Sequence, residues 1–142
     1  MATWKNSIEI HAPADRVFAY VDEPMNLAEW LPSIVEVRNV IGTGAGQQFE
    51  WTAKMIGRLL RGQSTVVEHA PNKCGVHQTI GMVSSTFGYC VEPHDEGTEL
   101  TLEIEYSVPI PLLGRLAEHV LVRRNAREFQ LALDNVKELM EA

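Results

Sequence analysis

The chain has 142 residues, 45% of them hydrophobic, which suits a single domain with a real core and points away from disorder. A formal net charge of −7 repels a nucleic-acid backbone, so general DNA or RNA binding is not expected. No apolar run approaches the roughly 18 residues of a membrane span. The N-terminus, Met1 to Asn6, lacks the apolar stretch of a signal peptide, so a cytoplasmic location without an integral membrane segment is expected.

The first element is a strand, with Ile8 and Ile10 apolar between Ser7, Glu9 and His11. After Pro13 the apolar residues fall at Val17, Phe18 and Val21, the spacing of a helix face, and proline suits a helix start because its missing N–H would have no partner there. A second short helix is expected from Asn26 to Leu31, closed by Pro32. From Ile34 to Val108 the pattern becomes two-fold, predicting strands near 34–41, 47–56, 59–69, 74–82, 84–92 and 98–108. Leu100, Leu102, Ile104, Tyr106 and Val108 alternate most clearly, so one face of the last strand is buried. From Leu113 onward nothing breaks a helix. Val122, Ala126, Phe129, Leu133, Val136 and Met140 form one apolar stripe. About 28 residues at about 1.5 Å each span roughly 40 Å, so this helix must lie along the sheet.

Several motifs invite chemistry that their context does not support. Gly42-Thr-Gly-Ala-Gly46 is followed by a strand pattern, not the helix a phosphate loop requires, so it reads as a hairpin. His11, His69, His77, His94 and His119 show no metal-ligand spacing, and neither a metal nor another cofactor is expected. Ser84-Ser85 lies outside any nucleophile elbow. Cys74 and Cys90 are too few for a disulfide scaffold or a metal site and read as reduced core or sheet residues.

The order strand, two short helices, six strands, long helix resembles the helix-grip fold of the START-like, or SRPBCC, superfamily, in its polyketide cyclase/dehydrase branch. Ile8-x-Ile10-x-Ala12-Pro13-x-x-x-Val17-Phe18, Trp30-x-Pro32, Gly57 and Gly62 around a strand turn, Gly97-Thr98-x-Leu100-Thr101 and the uninterrupted last helix carry the likeness over essentially the whole chain. It implies one α+β domain, 1–142, in which a curved antiparallel sheet wraps a long C-terminal helix around an internal cavity. Birch-pollen-allergen relatives carry a glycine-rich loop at the place of Gly42–Gly46, which agrees with the hairpin reading.

For the cavity lining, Phe49, Trp51, Ala53 and Met55 are expected to share an inward face, as are Val76, Gln78, Ile80 and Met82 on another strand, with Tyr89 and Tyr106 on the last two. Trp30 is expected near the cavity's end and Val122 on its helical wall. Each residue alone could simply fill the core. As a set they suit an apolar pocket with a few polar groups. Arg115, His119, Arg123 and Arg127 recur at steps of four, which suits either a solvated face, with Arg124 pairing to Glu128, or an anionic-head-group anchor; His119 is the favoured anchor at the cavity mouth.

The leading functional expectation is a binding protein for a small hydrophobic molecule, acidic or aromatic ones included. The rivals are a cyclase/dehydratase-type enzyme using His119, Tyr106, Tyr89 or Arg61, and a protein-interaction module whose cavity is closed.

Overall fold

A computed structural model describes residues 2–55, 57–81, 84–107 and 110–142, the side chains of 110–117 excepted. The strands are β1 (Ala2–Ile10), β2 (Ile34–Ile41), β3 (Gln48–Met55), β4 (Arg58–Ala70), β5 (Cys74–Gly81), β6 (Ser85–His94) and β7 (Gly97–Tyr106). The helices are α1 (Ala14–Asp22), α2 (Leu27–Trp30), preceded by a 3₁₀ turn at Pro24–Asn26, and α3 (Ile110–Glu141).

The seven strands form one antiparallel sheet in the order β1-β7-β6-β5-β4-β3-β2. From β2 to β7 the chain meanders. β1 then closes the far edge by pairing with β7, Ile8 opposite Leu100. The two short helices therefore carry the chain from one edge of the sheet to the other. Their start is fixed at Pro13, whose carbonyl accepts from the Val17 N–H at 3.0 Å, and by the Thr98 hydroxyl, which donates to the Ala12 carbonyl at 2.6 Å. Gly97 is required beside this corner, because a Cβ there would overlap the Ile10 carbonyl oxygen.

The Gly42–Gly46 segment joins β2 to β3 as a hairpin loop, with Gly42, Gly44 and Gly46 all at positive φ. Glycine reaches that conformation without a Cβ clash.

Helix α3 begins three residues before the predicted start and takes Pro111 into its first turn, where proline is tolerated. It packs against β1, β7 and α2, and Phe129 sits between Trp4 and Tyr106 at ring-centre distances of 5.5 and 6.2 Å. Its inward residues are Leu121, Asn125, Glu128, Phe129, Ala132, Leu133, Val136 and Met140. The C-terminal half follows the predicted stripe. In the other half Val122 is only half-buried and the inward face runs through Leu121, Asn125 and Glu128 instead.

The two cysteines are a second correction. Cys74 and Cys90 lie directly opposite each other on β5 and β6, Cα atoms 4.1 Å apart, and are joined as a disulfide. Their count and spacing in the chain carry no trace of this pairing, because the strand register creates it.

Candidate functional site

Because α3 leans on the β1 and β7 side, space remains, among the described residues, between it and the inner face of β3 to β5. A pocket of about 550 Å³ occupies that space. β3 contributes Phe49, Trp51, Ala53 and Met55, successive inward positions of a period-two strand. Arg58, Leu60 and Ser64 come from β4, His77 and Thr79 from β5, and Ser85 and Phe87 from β6. Ile104 and Tyr106 of β7 and Leu121, Asn125, Glu128 and Phe129 of α3 form the opposite wall. Leu27, Leu31, Ser33 and Ile34 complete it.

Trp51 owes its position to its neighbour on β4. Its ring lies over Gly62, where a Cβ would overlap Cζ2, and its indole N–H donates to the Ser64 hydroxyl at 3.1 Å. Tyr89 repeats the arrangement over Gly75 of β5, which stands opposite it in the sheet.

Two polar clusters interrupt the apolar wall. In the first, buried Glu128 accepts from the Ser33 hydroxyl at 2.7 Å and pairs with Arg124 at 2.9 Å, one helical turn earlier. Arg124 also donates to the side-chain amide oxygen of Asn125, Oδ1, at 2.9 Å. The pairing matters, since an isolated buried carboxylate would be costly.

The second cluster is a chain of four side chains. Tyr89 donates to Asp22 Oδ1 at 2.6 Å, His77 Nε2 meets the Tyr89 hydroxyl at 3.1 Å, and His69 Nε2 lies 2.9 Å from Asp22 Oδ2. It runs from His77 in the pocket wall to half-buried His69. Burial pushes the His77 imidazole down to about 4, only partly opposed by the Asp22 charge, so the ring is neutral at pH 7. Burial, followed by the hydrogen bond to Asp22, pushes the Tyr89 phenol upward, so it stays a donor.

The sequence-predicted residues separate into groups. Trp51, Met55 and Tyr106 line the pocket. Tyr89 is buried, is not among the lining residues, and touches one of them, His77. Trp30 is fully buried against Phe87, ring centres 6.1 Å apart, and is a core residue outside the lining. Met82 lies outside the described residues. Gln78 is exposed on the outer face, because β5 turns Gly75, His77 and Thr79 inward, the reverse of the expected phase. His119 is exposed, as are Arg123 and Arg127, and none of them lines the pocket; the Arg115 side chain lies outside the described residues. Arg61 is exposed as well.

Sequence reasoning missed many of the lining residues, apolar Phe87 and Leu121 as well as polar His77, Asn125 and Glu128. The polarity of His77, Asn125 and Glu128 hid them from a search for apolar stripes. Among the described residues, one group has metal-like proximity, Glu9, His94 and Asp95, all exposed and paired with each other at 3.4 and 3.7 Å. No helix among the described residues is long and apolar enough to cross a membrane.

The fold recurs in known structures. TTHA0849 from Thermus thermophilus matches with a TM-score of 0.85 at 20% identity, over 96% of this chain and 95% of that one. The Zhui aromatase/cyclase from Streptomyces sp. R1128 matches with a TM-score of 0.80 at 17% identity, over 99% and 93%. The di-domain ARO/CYC StfQ from the steffimycin biosynthetic pathway matches with a TM-score of 0.79 at 18% identity, over 98% of this chain and 50% of that one. At such identities the likeness is one of fold. No curated protein matches by sequence. The family model described as polyketide cyclase / dehydrase and lipid transport matches residues 1–141, and the chain belongs to that family.

Proposed function

We propose that this protein binds a small, mostly apolar molecule in the pocket between α3 and the inner face of the sheet. The observation that carries this reading is the pocket itself. Its volume of about 550 Å³ suits a small organic ligand, and aromatic and aliphatic side chains dominate its walls. Trp51, Met55, Tyr106, Phe49 and Leu121 supply apolar contact in this reading, and His77, Ser64 and Asn125 orient the guest. The family description and the aromatase/cyclase neighbours agree with a hydrophobic ligand.

A second reading is a cyclase- or dehydratase-type enzyme. It is favoured by one observation, a neutral imidazole in the pocket wall backed by a tyrosine and a carboxylate. Mass spectrometry of small molecules that co-purify with the protein tests the first reading directly. A stoichiometric apolar compound supports it, and turnover of a polyketide-like substrate supports the second. A pocket to which no apolar compound binds saturably removes both.

A further inference from the structure

The hydrogen-bond chain behind the pocket fixes which atom of His77 is free. Tyr89 has one hydroxyl proton, and it goes to Asp22 Oδ1 at 2.6 Å. Toward His77, 3.1 Å away, the tyrosine oxygen can therefore only accept, so Nε2 of the neutral ring carries the proton. Nδ1 is left with the lone pair. It has no hydrogen-bond partner among the described residues, and its ring lines the pocket between Phe49 and Phe87. Nδ1 is thus an acceptor open to a ligand donor.

The rest of the wall points the same way. Glu128 places a buried carboxylate on the opposite side, but its charge is already matched by Arg124 at 2.9 Å, so it offers no free counter-charge to an anion. Arg58 is the one cationic side chain among the described lining residues, and it is exposed. Among the described lining residues, then, no buried cation awaits an anionic group, whereas His77 Nδ1 is a free acceptor.

We propose that His77 is the specificity-determining residue of the pocket, accepting through Nδ1 a hydrogen bond from the hydroxyl of a neutral hydroxylated aromatic ligand. The proposal rests on the binding reading above and narrows it, from hydrophobic ligands with acidic or aromatic ones included to a neutral phenol- or enol-like one. Tyr89 and Asp22 act as positioning residues that hold the tautomer, and Gly75 leaves the space in which the Tyr89 ring reaches them.

The test compares 2-naphthol, its ether 2-methoxynaphthalene and 2-naphthoate by calorimetric titration at pH 7. Wild type should bind the naphthol about three- to tenfold more tightly than the ether, the worth of one neutral hydrogen bond. The naphthol-over-ether ratio should fall to about one in His77→Phe, read as a ratio within that variant. Phenylalanine keeps the aromatic packing, and Tyr89 keeps its bond to Asp22. Histidine-labelled ¹⁵N NMR of the wild type gives a readout that needs no variant. The Nδ1 resonance should be of the unprotonated type and should move with 2-naphthol but not with the ether. Equal affinity for naphthol and ether, tighter binding of 2-naphthoate, or a protonated Nδ1 would overturn the proposal while leaving the pocket reading intact. Saturable binding of none of the three compounds would instead remove the pocket reading on which it rests.

Discussion

The indole of Trp51 lies against Gly62 of the neighbouring strand, in space that any side chain at position 62 would occupy. Gly62→Ala should push the ring away from Ser64, to which it donates at 3.1 Å, and into the pocket. The expected cost is about 1–3 kcal/mol, the usual range for overpacking. Urea denaturation and the tryptophan emission maximum check this. Unchanged stability with unchanged emission would show that the ring does not depend on the glycine.

The His77 imidazole is held down to about 4, against 6.5 in the unfolded chain, because burial disfavours its charged form. Between those values the unfolded state binds more protons, so stability should rise with pH across that window. The contribution is complete above about pH 6.5 and is lost as the pH falls toward 4. A shift of this size is worth about 3 kcal/mol. His77→Phe should flatten the dependence, and denaturation midpoints of wild type and variant between pH 4 and 7.5 measure the difference. Parallel profiles would mean that His77 is not held neutral by its burial.

Reducing the Cys74–Cys90 bridge should destabilise the fold by about 3 kcal/mol, as expected for a closed loop of 16 residues. Thermal melts with and without reductant show the change. Two free thiols titrated in non-reducing denaturant would contradict the pairing.

ATP, GTP and NAD should not bind at Gly42–Gly46. The loop joins two strands, so no helix N-terminus is available to present N–H groups to a phosphate. Saturable nucleotide binding that disappears on changing Gly44 would overturn this.

Much of the architecture was legible because backbone periodicity and breakers were strong. The alternation of β3 located Phe49, Trp51, Ala53 and Met55 on one face, and the apolar spacing of α3 found Phe129, Leu133, Val136 and Met140. β5 misled for a physical reason. Its apolar residues Val76 and Ile80 lie on the outer face, Ile80 71% exposed, while Gly75, His77 and Thr79 face inward. Glycine reads as blank on a hydrophobicity pattern, yet Gly75 makes the room that Tyr89 fills. Asn125 and Glu128 escaped for a related reason. The i, i+4 pairing of Arg124 with Glu128 was legible but suited a solvated face, and the contact that accompanies Glu128's inward place, Ser33 at 95 residues' separation, is in no local pattern. The disulfide depends on cross-strand register, which spacing along the chain does not encode.

Calorimetric titration of 2-methoxynaphthalene into wild type, Leu121→Trp and Gln78→Trp tests the occupied pocket most directly, with the fold of each variant verified by circular dichroism. Leu121 lines the pocket and Gln78 is exposed on the outer face of the sheet. The predicted result is saturable one-to-one binding in wild type and in Gln78→Trp, weakened at least about tenfold in Leu121→Trp because the new ring fills the space. Equal affinity in all three proteins would place the binding elsewhere and contradict the proposed function.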